Sequence, residues 1–396
     1  MGSGERRPTL SCLVVCPPGL EDVVAAELDD LGVRARQTGK GSVSADLTTR
    51  QLYAANLFLR SATRVLVRVA RFTVRSFADL ERRIGEVDWG PWIGPEDRTR
   101  VRVTTRHSKL WHDGAVAERF TAVLGPGSEE GREQLVVVRA VDDRFPVSVA
   151  SSGAPLHERG WRQATARAPL RESVAAALLT AARWDPTTPL VDPLCGSGTI
   201  AIEAALRATG AAPAGQRDLA FRSWPGFEPG TWASVTADAD RRAAEAGGVP
   251  PIVAADRDAG AIESARSNAR RAGVEDLIEW RRAPIADLAP PVGAEGVNGL
   301  VATNPPWGGR VSGGDLRNLY ATLGRVAAER FAGWSLGVLV TDRGLARQVR
   351  PGLTEALHLE LGGRRAWFLT GRVGCAAGFN PRRQWPSCRD ARHRRG

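Results

Sequence analysis

The spacing of apolar residues at the start of the chain predicts a small domain that contains both strands and helices. Val43, Ala45 and Leu47 alternate with polar residues, which is typical of a strand with one buried face. Between residues 20 and 31 the apolar positions recur every three or four residues, which predicts an amphipathic helix. The predicted order is strand, helix, strand, helix and strand, over residues 10–16, 20–31, 43–47, 52–59 and 65–69. This order favours a ferredoxin-like α+β domain.

A second module follows, with a strand over residues 100–106 that alternates between valine and arginine or threonine. Two predicted helices flank this strand, and two valine-rich segments predict a hairpin that completes the module. These elements cover residues 77–84, 115–123, 136–141 and 147–149. We therefore expect a first domain over residues 1–66 and a second over residues 67–153.

After residue 154 the pattern changes to short apolar runs that alternate with amphipathic segments. Runs such as Leu190–Val191 and Ile252–Ala255 are apolar at every position, as parallel strands covered on both faces are. Further predicted strands cover residues 299–302, 336–341 and 367–373, and predicted helices cover residues 172–182 and 316–331. The pattern predicts an α/β fold with a Rossmann-like, mostly parallel, doubly wound sheet over residues 154–388, followed by a basic tail over residues 389–396.

Composition and charge narrow the class of protein. A chain of 396 residues has room for two or three domains. No stretch is long and apolar enough to span a membrane, and no signal-peptide segment is visible, so we expect a cytoplasmic location. The net charge of +10 favours a polyanionic partner such as RNA. Lys40 and Lys109 are the only lysines, and such a preference for arginine over lysine can reflect a GC-rich genome. The excess of basic over acidic residues does not depend on that choice of codons.

A turn with two glycines carries the first candidate site. A short apolar run ends at Asp192, Gly196 and Gly198 follow, and an alanine-rich helix starts at about Thr199. This order of strand, turn and helix holds a nucleotide-like ligand against a helix N-terminus. The glycines also fit the dinucleotide fingerprint, and a turn that serves only the fold is a third interpretation. The Asp192 carboxylate disfavours a pyrophosphate and suits the ammonium and sulfonium groups of S-adenosylmethionine (SAM).

The cysteines indicate neither a zinc site nor disulfides, because they are odd in number and have no Cys or His partners at zinc-finger spacing. They are Cys12, Cys16, Cys195, Cys375 and Cys388. Cys195 lies in the glycine turn and is therefore a cofactor-contact candidate. Packing beneath the turn is favoured over a role as a nucleophile. We expect no metal site.

Two further segments carry polar residues directly after predicted strands. Asp256 ends a strand, where a carboxylate can accept hydrogen bonds from both hydroxyls of a ribose, and Asp258 is expected to cap the next helix. Asn304-Pro305-Pro306-Trp307 follows the run 299–302. Prolines lack N–H groups, so this turn presents acceptors to an exocyclic amine. Trp307 offers a flat face on which a base can stack.

These segments carry a resemblance to a known family. DPLCGSGTIAIEAA, AADRDAGAIESARSNARRAG and ATNPPWGGR resemble the signature blocks of class I RNA guanine-N2 methyltransferases that carry a THUMP domain, above all the bacterial 23S rRNA enzymes. CPPGLEDVVAAELDDLG resembles the opening of the same family, so the likeness covers nearly the whole chain. It implies SAM as cofactor and a guanosine of structured RNA as substrate. Asn304, Pro305, Pro306 and Trp307 would then be the catalytic turn, with Asn304 also near the cofactor.

The resemblance also implies RNA contacts outside the catalytic turn. A Ser-Lys-Leu-aromatic-His element of the THUMP domain matches the segment that contains Lys109, Trp111 and His112, although its histidines can equally be solvated. The segment of this chain that resembles the family's linker between the two halves contains Arg159, Arg162 and Arg167. These arginines are candidate phosphate contacts or solvated linker residues.

The sequence departs from the family at the residue that reads the adenine of SAM. The family has an aspartate soon after its third strand, where this chain has Pro284, so either Asp287 or backbone groups take that role. Residues 210–250 form an insertion, in which we expect packing roles for Phe221 and Trp224 over RNA contact.

Three other functions stay open at this point. A tRNA guanosine-N2 methyltransferase would share the architecture. The Asn-Pro-Pro-aromatic turn also occurs in enzymes that methylate glutamine side chains or adenine N6 in DNA, which the RNA-binding-like N-terminal half disfavours. A non-catalytic RNA-binding or ribosome-assembly factor would retain the fold. We expect a monomer.

Overall fold

The computed structural model describes residues 8–163, 170–215, 217–294, 296–307, 316–349 and 352–374. The expected basic tail, Arg167, Cys375 and Cys388 lie outside these ranges. Within them, no helix combines the length and the apolar character that a membrane crossing requires.

The N-terminal half forms a seven-stranded sheet. Its strands are β1 (Leu10–Val15), β2 (Arg36–Gly39), β3 (Ser42–Leu47), β4 (Arg64–Thr73), β5 (Arg98–Arg106), β6 (Glu133–Val141) and β7 (Arg144–Ala150). Its helices are α1 (Glu21–Asp30), α2 (Thr49–Phe58), α3 (Phe77–Gly85) and α4 (Asp113–Leu124). The strand order is β2-β3-β1-β4-β7-β6-β5. Every predicted element of this half is present. Strand β2 was not predicted, because its four residues are all exposed and show no apolar alternation.

Strand β4 joins the two modules of this half into one sheet. Its first residues pair with β1, so that Val67 lies opposite Cys12, and the same strand pairs with β7 along its other edge. The expected domain boundary after residue 66 therefore falls inside a continuous strand. With ten residues, β4 is long enough to pair with strands of both modules, whereas a shorter strand would not be.

The C-terminal half forms the second sheet. Its strands are β8 (Leu190–Asp192), β9 (Ile252–Asp256), β10 (Glu279–Arg282), β11 (Leu300–Thr303), β12 (Ser335–Val340), β13 (Thr354–Leu361) and β14 (Arg364–Arg372). Its helices are α5 (Glu172–Ala181), α6 (Thr199–Ala208), α7 (Pro229–Glu245), α8 (Ala259–Arg271), α9 (Leu316–Arg330) and α10 (Arg343–Val349). The order is β10-β9-β8-β11-β12-β14-β13.

This second sheet confirms the predicted Rossmann-like, mostly parallel architecture. The five strands from β10 to β12 are parallel, and β14 is antiparallel to both of its neighbours. Helices α7 and α10 and strand β13 were not predicted. Their burial patterns explain the omission, since α7 buries only Val235 fully and β13 buries only two of its eight residues.

The insertion over residues 210–250 packs against the N-terminal half, as the sequence predicted for its aromatic residues. Phe221 is fully buried and stacks on Tyr53 of α2, with 4.2 Å between the ring centroids. Trp224 meets Trp92 edge to face and donates a 2.7 Å hydrogen bond from Nε1 to Oε1 of Gln134. The insertion therefore shares one hydrophobic core with the two halves and joins them. Buried aromatic side chains contribute strongly to the stability of such a core.

We expect Phe221→Ala to lower the free energy of unfolding by about 3–5 kcal/mol, because it leaves a cavity in this shared core. Trp111→Ala is the matched control: Trp111 is 74% exposed, so its loss should change stability by less than about 0.5 kcal/mol. Urea unfolding followed by circular dichroism measures both changes. Equal stability of the two variants would show that the insertion does not join the halves.

Candidate cofactor and substrate site

Polar residues meet where three neighbouring strands end. Asp192 ends β8, Asp256 ends β9, and Asn304 directly follows β11. Strand β8 lies between β9 and β11 and is parallel to both, so the three residues lie at the same edge of the sheet. The connection after β8 leads to β9 and the connection after β11 leads to β12 on the opposite side, and ligands of open α/β sheets bind in the crevice at such a reversal.

The loop between β8 and α6 is shaped for close approach of a ligand. Gly196 has a φ of 51° and Gly198 a φ of 82°, a left-handed backbone that favours glycine. A Cβ on Gly196 would meet no heavy atom within 4 Å, so this face of the loop is open. A Cβ on Gly198 would lie 3.0 Å from Cβ of Ala265, so here glycine lets α8 pack closely. Helix α6 starts after Gly198 without a side-chain cap.

Asp192 is buried beside this open loop. Burial, with a smaller contribution from the charge of Asp256, raises the pKa of its carboxyl to about 7, against the opposing effect of the Leu194 N–H. Oδ1 accepts a 3.2 Å hydrogen bond from the Leu194 N–H. A buried carboxylate needs a compensating charge, which the ammonium group of a ligand can supply.

Asp256 ties the glycine loop to the neighbouring strand. Its Oδ2 accepts a hydrogen bond from the Gly196 N–H at 3.1 Å, and its Oδ1 accepts one from the Asp258 N–H at 3.0 Å. Each carboxylate oxygen has a second lone pair, so both can still accept hydrogen bonds from hydroxyl groups. Asp258 caps α8 by accepting from the N–H groups of Gly260 and Ala261, as predicted.

Cys195 is buried beneath the turn, which confirms the favoured packing role. Burial raises the pKa of its thiol well above the ordinary value, and the charges of Asp192 and Asp256 add to this effect. A thiol that stays protonated is a poor nucleophile, so the burial of Cys195 disfavours covalent catalysis by it. Cys12 and Cys16 are also buried free thiols.

The Asn-Pro-Pro-Trp turn holds a fixed arrangement of acceptors. The indole Nε1 of Trp307 donates a 2.9 Å hydrogen bond to Oδ1 of Asn304, which orients the amide and leaves that oxygen one lone pair. The Pro306 carbonyl oxygen accepts from the hydroxyl of the buried Tyr320 at 3.5 Å. The Pro305 carbonyl oxygen accepts no hydrogen bond from any described residue. The turn therefore offers two acceptors, one from Asn304 and one from Pro305.

Asp287 is exposed at the end of a short 3-10 turn, Ile285–Asp287, that follows Pro284. The backbone makes this turn directly beyond β10, where the Ala283 N–H donates to the Asp256 carbonyl oxygen at 3.1 Å. The loop therefore borders the cofactor edge of the sheet. Recognition of adenine by Asp287 itself stays a prediction.

Arg159 does not fit the predicted role as a phosphate contact, because its side chain is buried. Nε lies 3.3 Å from Oε1 of Glu203 on α6, and both side chains are almost fully excluded from solvent. The guanidinium also donates to the carbonyl oxygens of Leu156, at 2.8 Å, and Arg60, at 2.6 Å. Arg159 therefore links the N-terminal half to the cofactor helix. The sequence showed an arginine in a linker but not the buried glutamate that it contacts.

Arg162 is also engaged within the protein and corrects the second phosphate prediction. Nε lies 3.1 Å from Oε1 of Glu172, and Nη2 donates to the Leu170 carbonyl oxygen at 2.6 Å and to Oγ1 of Thr199 at 2.9 Å. Thr199, a predicted cofactor contact, is buried, and its hydroxyl hydrogen-bonds to Arg162 and to the hydroxyl of Ser197. The third arginine of the set, Arg167, lies outside the described residues.

Residues that the sequence prediction did not include support the glycine loop from behind. Asn268 of α8 is fully buried, and its Nδ2 donates a 3.1 Å hydrogen bond to the Ser197 carbonyl oxygen. Its Oδ1 accepts from the Gln163 N–H at 3.4 Å, which brings the linker to the same place. For Arg159 and Arg162, the sequence did contain a signal of burial. Glu203 and Glu172 lie in otherwise apolar helices, and a buried acid requires a basic partner.

The segment at the end of β5 presents Trp111 to solvent, with 74% of its surface exposed. His112 caps α4, because its Nδ1 accepts a 3.0 Å hydrogen bond from the Ala115 N–H, so this histidine has a structural role. Lys109 is exposed, and its backbone N–H donates to Oδ1 of Asp143 at 2.6 Å. Lys109 and Trp111 are thus available to a partner, and contact with RNA stays a prediction for all three residues.

These features define a class of protein. A Rossmann-type sheet with acidic residues ending two adjacent strands, and an open glycine loop between them, is the binding site of SAM-dependent methyltransferases. Family comparison agrees. The family UPF0020, described as RMKL-like, methyltransferase domain, matches residues 159–363, and the RlmL ferredoxin-like domain matches residues 11–66. The protein belongs to the RMKL-like methyltransferase family, and SAM is its cofactor.

Individual relatives cover nearly all of the chain. A Synechocystis sp. protein named "Putative RNA methyltransferase slr0064" is 33% identical in an alignment of 351 residues, and the alignment covers 84% of this chain and 88% of that protein. The crystal structure of "SMU.472, a putative methyltransferase complexed with SAH" has a TM-score of 0.84 at 27% identity, over 94% of this chain and 100% of that one. A structure from Listeria monocytogenes, described as "a predicted N6-adenine-specific DNA methylase", has a TM-score of 0.81 at 28% identity, over 93% and 99% of the two chains.

The pKa of Asp192 makes SAM affinity dependent on pH. We expect the carboxyl to pair with the SAM ammonium, which it can do only when ionised, and its pKa in the free protein is about 7. Affinity should therefore fall by up to about tenfold per pH unit as the pH drops below 7. Calorimetric titrations with SAM between pH 5.5 and 7.5, where the ammonium stays charged, measure this dependence. Asp192→Asn should bind weakly and show no such slope, and a wild-type slope of zero would contradict the pairing.

Loss of one partner of the Arg159–Glu203 pair should destabilise the protein strongly. Arg159→Ala removes the guanidinium that contacts the buried Glu203, which costs about 3–5 kcal/mol of unfolding free energy. The double variant Arg159→Met, Glu203→Met should recover most of this loss, because neither member of the pair is then buried without the other. Arg325→Ala, which removes an exposed ion pair with Glu329, is the control and should cost less than about 1 kcal/mol. A small effect of Arg159→Ala in urea unfolding would contradict the buried pairing.

Proposed function

We propose that this SAM-dependent methyltransferase acts on the exocyclic N2 of a guanosine in structured RNA, and that 23S rRNA is its substrate. The observation that supports this most directly is the Asn-Pro-Pro-Trp turn beside the cofactor edge. Its two acceptors, Oδ1 of Asn304 and the carbonyl oxygen of Pro305, suit the two hydrogens of an exocyclic amine.

In this proposal the chain contributes position and electrostatics. Bound SAM supplies an electrophilic methyl group on a sulfonium. Asp192 holds the ammonium group of the cofactor, Asp256 the ribose hydroxyls, and Asp287 or nearby backbone groups the adenine. Asn304 and Pro305 hold the amine so that its nitrogen lone pair faces the methyl group, and Trp307 stacks on the base once it has left its helix. Such positioning accounts for most of the acceleration that this reaction needs.

The N-terminal half supports RNA as the substrate. It carries a ferredoxin-like domain and a second module over residues 67–153 that resembles a THUMP domain, and we propose these as the RNA-holding part of a monomeric enzyme in the cytoplasm. The name of the Synechocystis relative supports an RNA substrate. The proposed catalytic domain spans residues 154–388.

A second candidate is methylation of adenine N6 in DNA. The Listeria structure supports it by its description, and the turn geometry is equally suited to the exocyclic amine of adenine. Nucleoside mass spectrometry separates the two. We expect N2-methylguanosine after incubation of unmodified 23S rRNA with SAM. The same nucleoside only in tRNA would change the substrate, and N6-methyladenine only in DNA would overturn the proposal. SAM binding without any methylated nucleoside would indicate a protein substrate such as a glutamine side chain, and absence of SAM binding would indicate a non-catalytic RNA-binding factor.

Substitutions in the turn test how the amine is held. Asn304→Ala removes one acceptor, and we expect kcat to fall by about 100-fold or more because the amine is misplaced. Trp307→Phe keeps an aromatic face but loses the N–H that orients Asn304, so its effect should be intermediate. Single-turnover rates at saturating SAM measure both. Wild-type rates for Asn304→Ala would exclude this amide from catalysis.

A further inference from the structure

All arginines of four strands lie on one face of the N-terminal sheet. The strands β4, β5, β6 and β7 contain nine arginines, and the strand pairing places every one of them on the same side. They are Arg64, Arg68, Arg71, Arg98, Arg100, Arg102, Arg106, Arg139 and Arg144. We call this surface the arginine face. The opposite face of the same strands carries the valines that pack into the main core.

The strand register shows how this sidedness arises. Arg102 lies opposite Val137, Val137 opposite Ser148, and Ser148 opposite Arg68, so these four side chains form one row across the sheet. A bulge in β4 inserts one residue between Arg68 and Ala70. Without that bulge, the next arginine of the strand would point into the core rather than lie on the open side.

The four strands of the arginine face contain a single acidic residue, while Glu158 lies near Arg64, and Asp29 and Asp46 line the cavity beside Arg68. Glu133 is the one acidic residue in these four strands, and its Oε1 lies 3.5 Å from Nη1 of Arg100. The side chains of Arg102, Arg139 and Arg144 are exposed and make no hydrogen bond or ion pair with a described residue. A solvated protein surface usually mixes both signs of charge, so this segregation needs an explanation.

The arginines also lie close enough to repel one another. Burial lowers the pKa of Arg64, and the charges of Arg102 and Arg100 lower it further. Burial likewise lowers the pKa of Arg68, with contributions from Arg71 and Arg139. Beneath the guanidinium groups lies a small apolar cluster, which the arginine stems shield from water. This cluster contains Leu66, Leu135, Val137 and Ala150.

Protection of a sheet edge does not explain the arrangement. Charged residues on an edge strand prevent pairing with other chains, and β5 is an edge strand. However, β4, β6 and β7 lie inside the sheet and have no free edge, and their arginines occupy the same face. On the β1–β3 side of β4 the face adjoins a cavity of about 880 Å³, whose lining includes Arg36, Arg68 and Arg71.

We propose that the arginine face binds the phosphate backbone of the structured RNA substrate. This inference rests on the proposed RNA methyltransferase function and assigns the surface that holds the RNA. Arginine forks match phosphate oxygens in a bidentate manner, so a row of unpaired arginines suits a polyanion. Strand β5 leads directly from Arg106 to the segment with Lys109 and the exposed Trp111, so a base can stack where the phosphate rows end.

The test is RNA binding by the full chain at several salt concentrations. The triple variant Arg102→Gln, Arg139→Gln, Arg144→Gln removes three charges that have no protein partner. A fluorescein-labelled fragment transcribed from 23S rRNA is the probe, with fluorescence anisotropy as the readout. We expect binding at least tenfold weaker, and the slope of log K against log salt smaller by about two to three, since each phosphate contact contributes about 0.7–0.9.

The matched control removes the same charge elsewhere. Arg325, Arg347 and Arg364 are exposed on the catalytic half, and their simultaneous change to Gln should alter the salt slope by less than one contact. SAM affinity should be unchanged in both triple variants. Equal weakening of RNA binding by the two variants would overturn the proposal, because only net charge would then matter.

Two further outcomes separate this proposal from the proposed function. Methylation of RNA by an arginine-face variant that binds RNA like wild type would overturn the arginine face and leave the function intact. Loss of RNA binding in that variant, with no methylated guanosine formed by the wild type, would support the face and overturn the guanosine assignment. Equally tight binding of duplex DNA of the same length through the same arginines would overturn the choice of RNA.

Discussion

The parallel pairing of β8 with β9 on one side and β11 on the other is the constraint on which the site depends. Parallel strands end at the same edge, so this pairing brings together side chains that are far apart in the chain. Asp192 and Asp256 close two of the strands, and Asn304 follows the third. The connections after β8 and β11 lead to opposite sides of the sheet and leave a crevice above these residues. Cofactor binding and the acceptor turn follow from this one arrangement of strands.

The glycine loop above the crevice is held in place by bonds from several directions. Asp256 accepts from its backbone on one side, and Asn268 donates to it from behind. Arg162 reaches the start of α6 from the linker between the halves, and the buried pair of Arg159 and Glu203 anchors the same linker. The loop is therefore preorganised by charged groups that are costly to bury singly and stable when paired. The same contacts couple the N-terminal half to the cofactor site.

The N-terminal sheet serves two purposes with its two faces. Its valine face joins the core that the insertion extends through Phe221 and Trp224. Its arginine face stays in contact with solvent, apart from the aliphatic stems that cover a few apolar residues. A period of two residues in each strand allows this separation, and the single bulge in β4 maintains it where the strand would otherwise change faces. The catalytic half and the polyanion-binding surface we propose therefore belong to one packed unit.

The sequence by itself determined the local elements and the chemistry of the crevice. Periodicity predicted the strands that end at Asp192 and Asp256 and the cap at Asp258, and the types of residue predicted SAM. It could not show which arginines are buried, because burial depends on partners distant in the chain. Arg159 and Arg162 resemble solvated linker residues until α5 and α6 place glutamates against them.

The same reason explains the elements that were missed and the surface that was not foreseen. Helix α7 and strand β13 bury few side chains, so their patterns carry little periodicity. The arginines of β4 and β7 are far apart in the chain and form one face only through strand register. Local pattern determines what each segment becomes, whereas only tertiary structure decides which segments share a face and which charges meet.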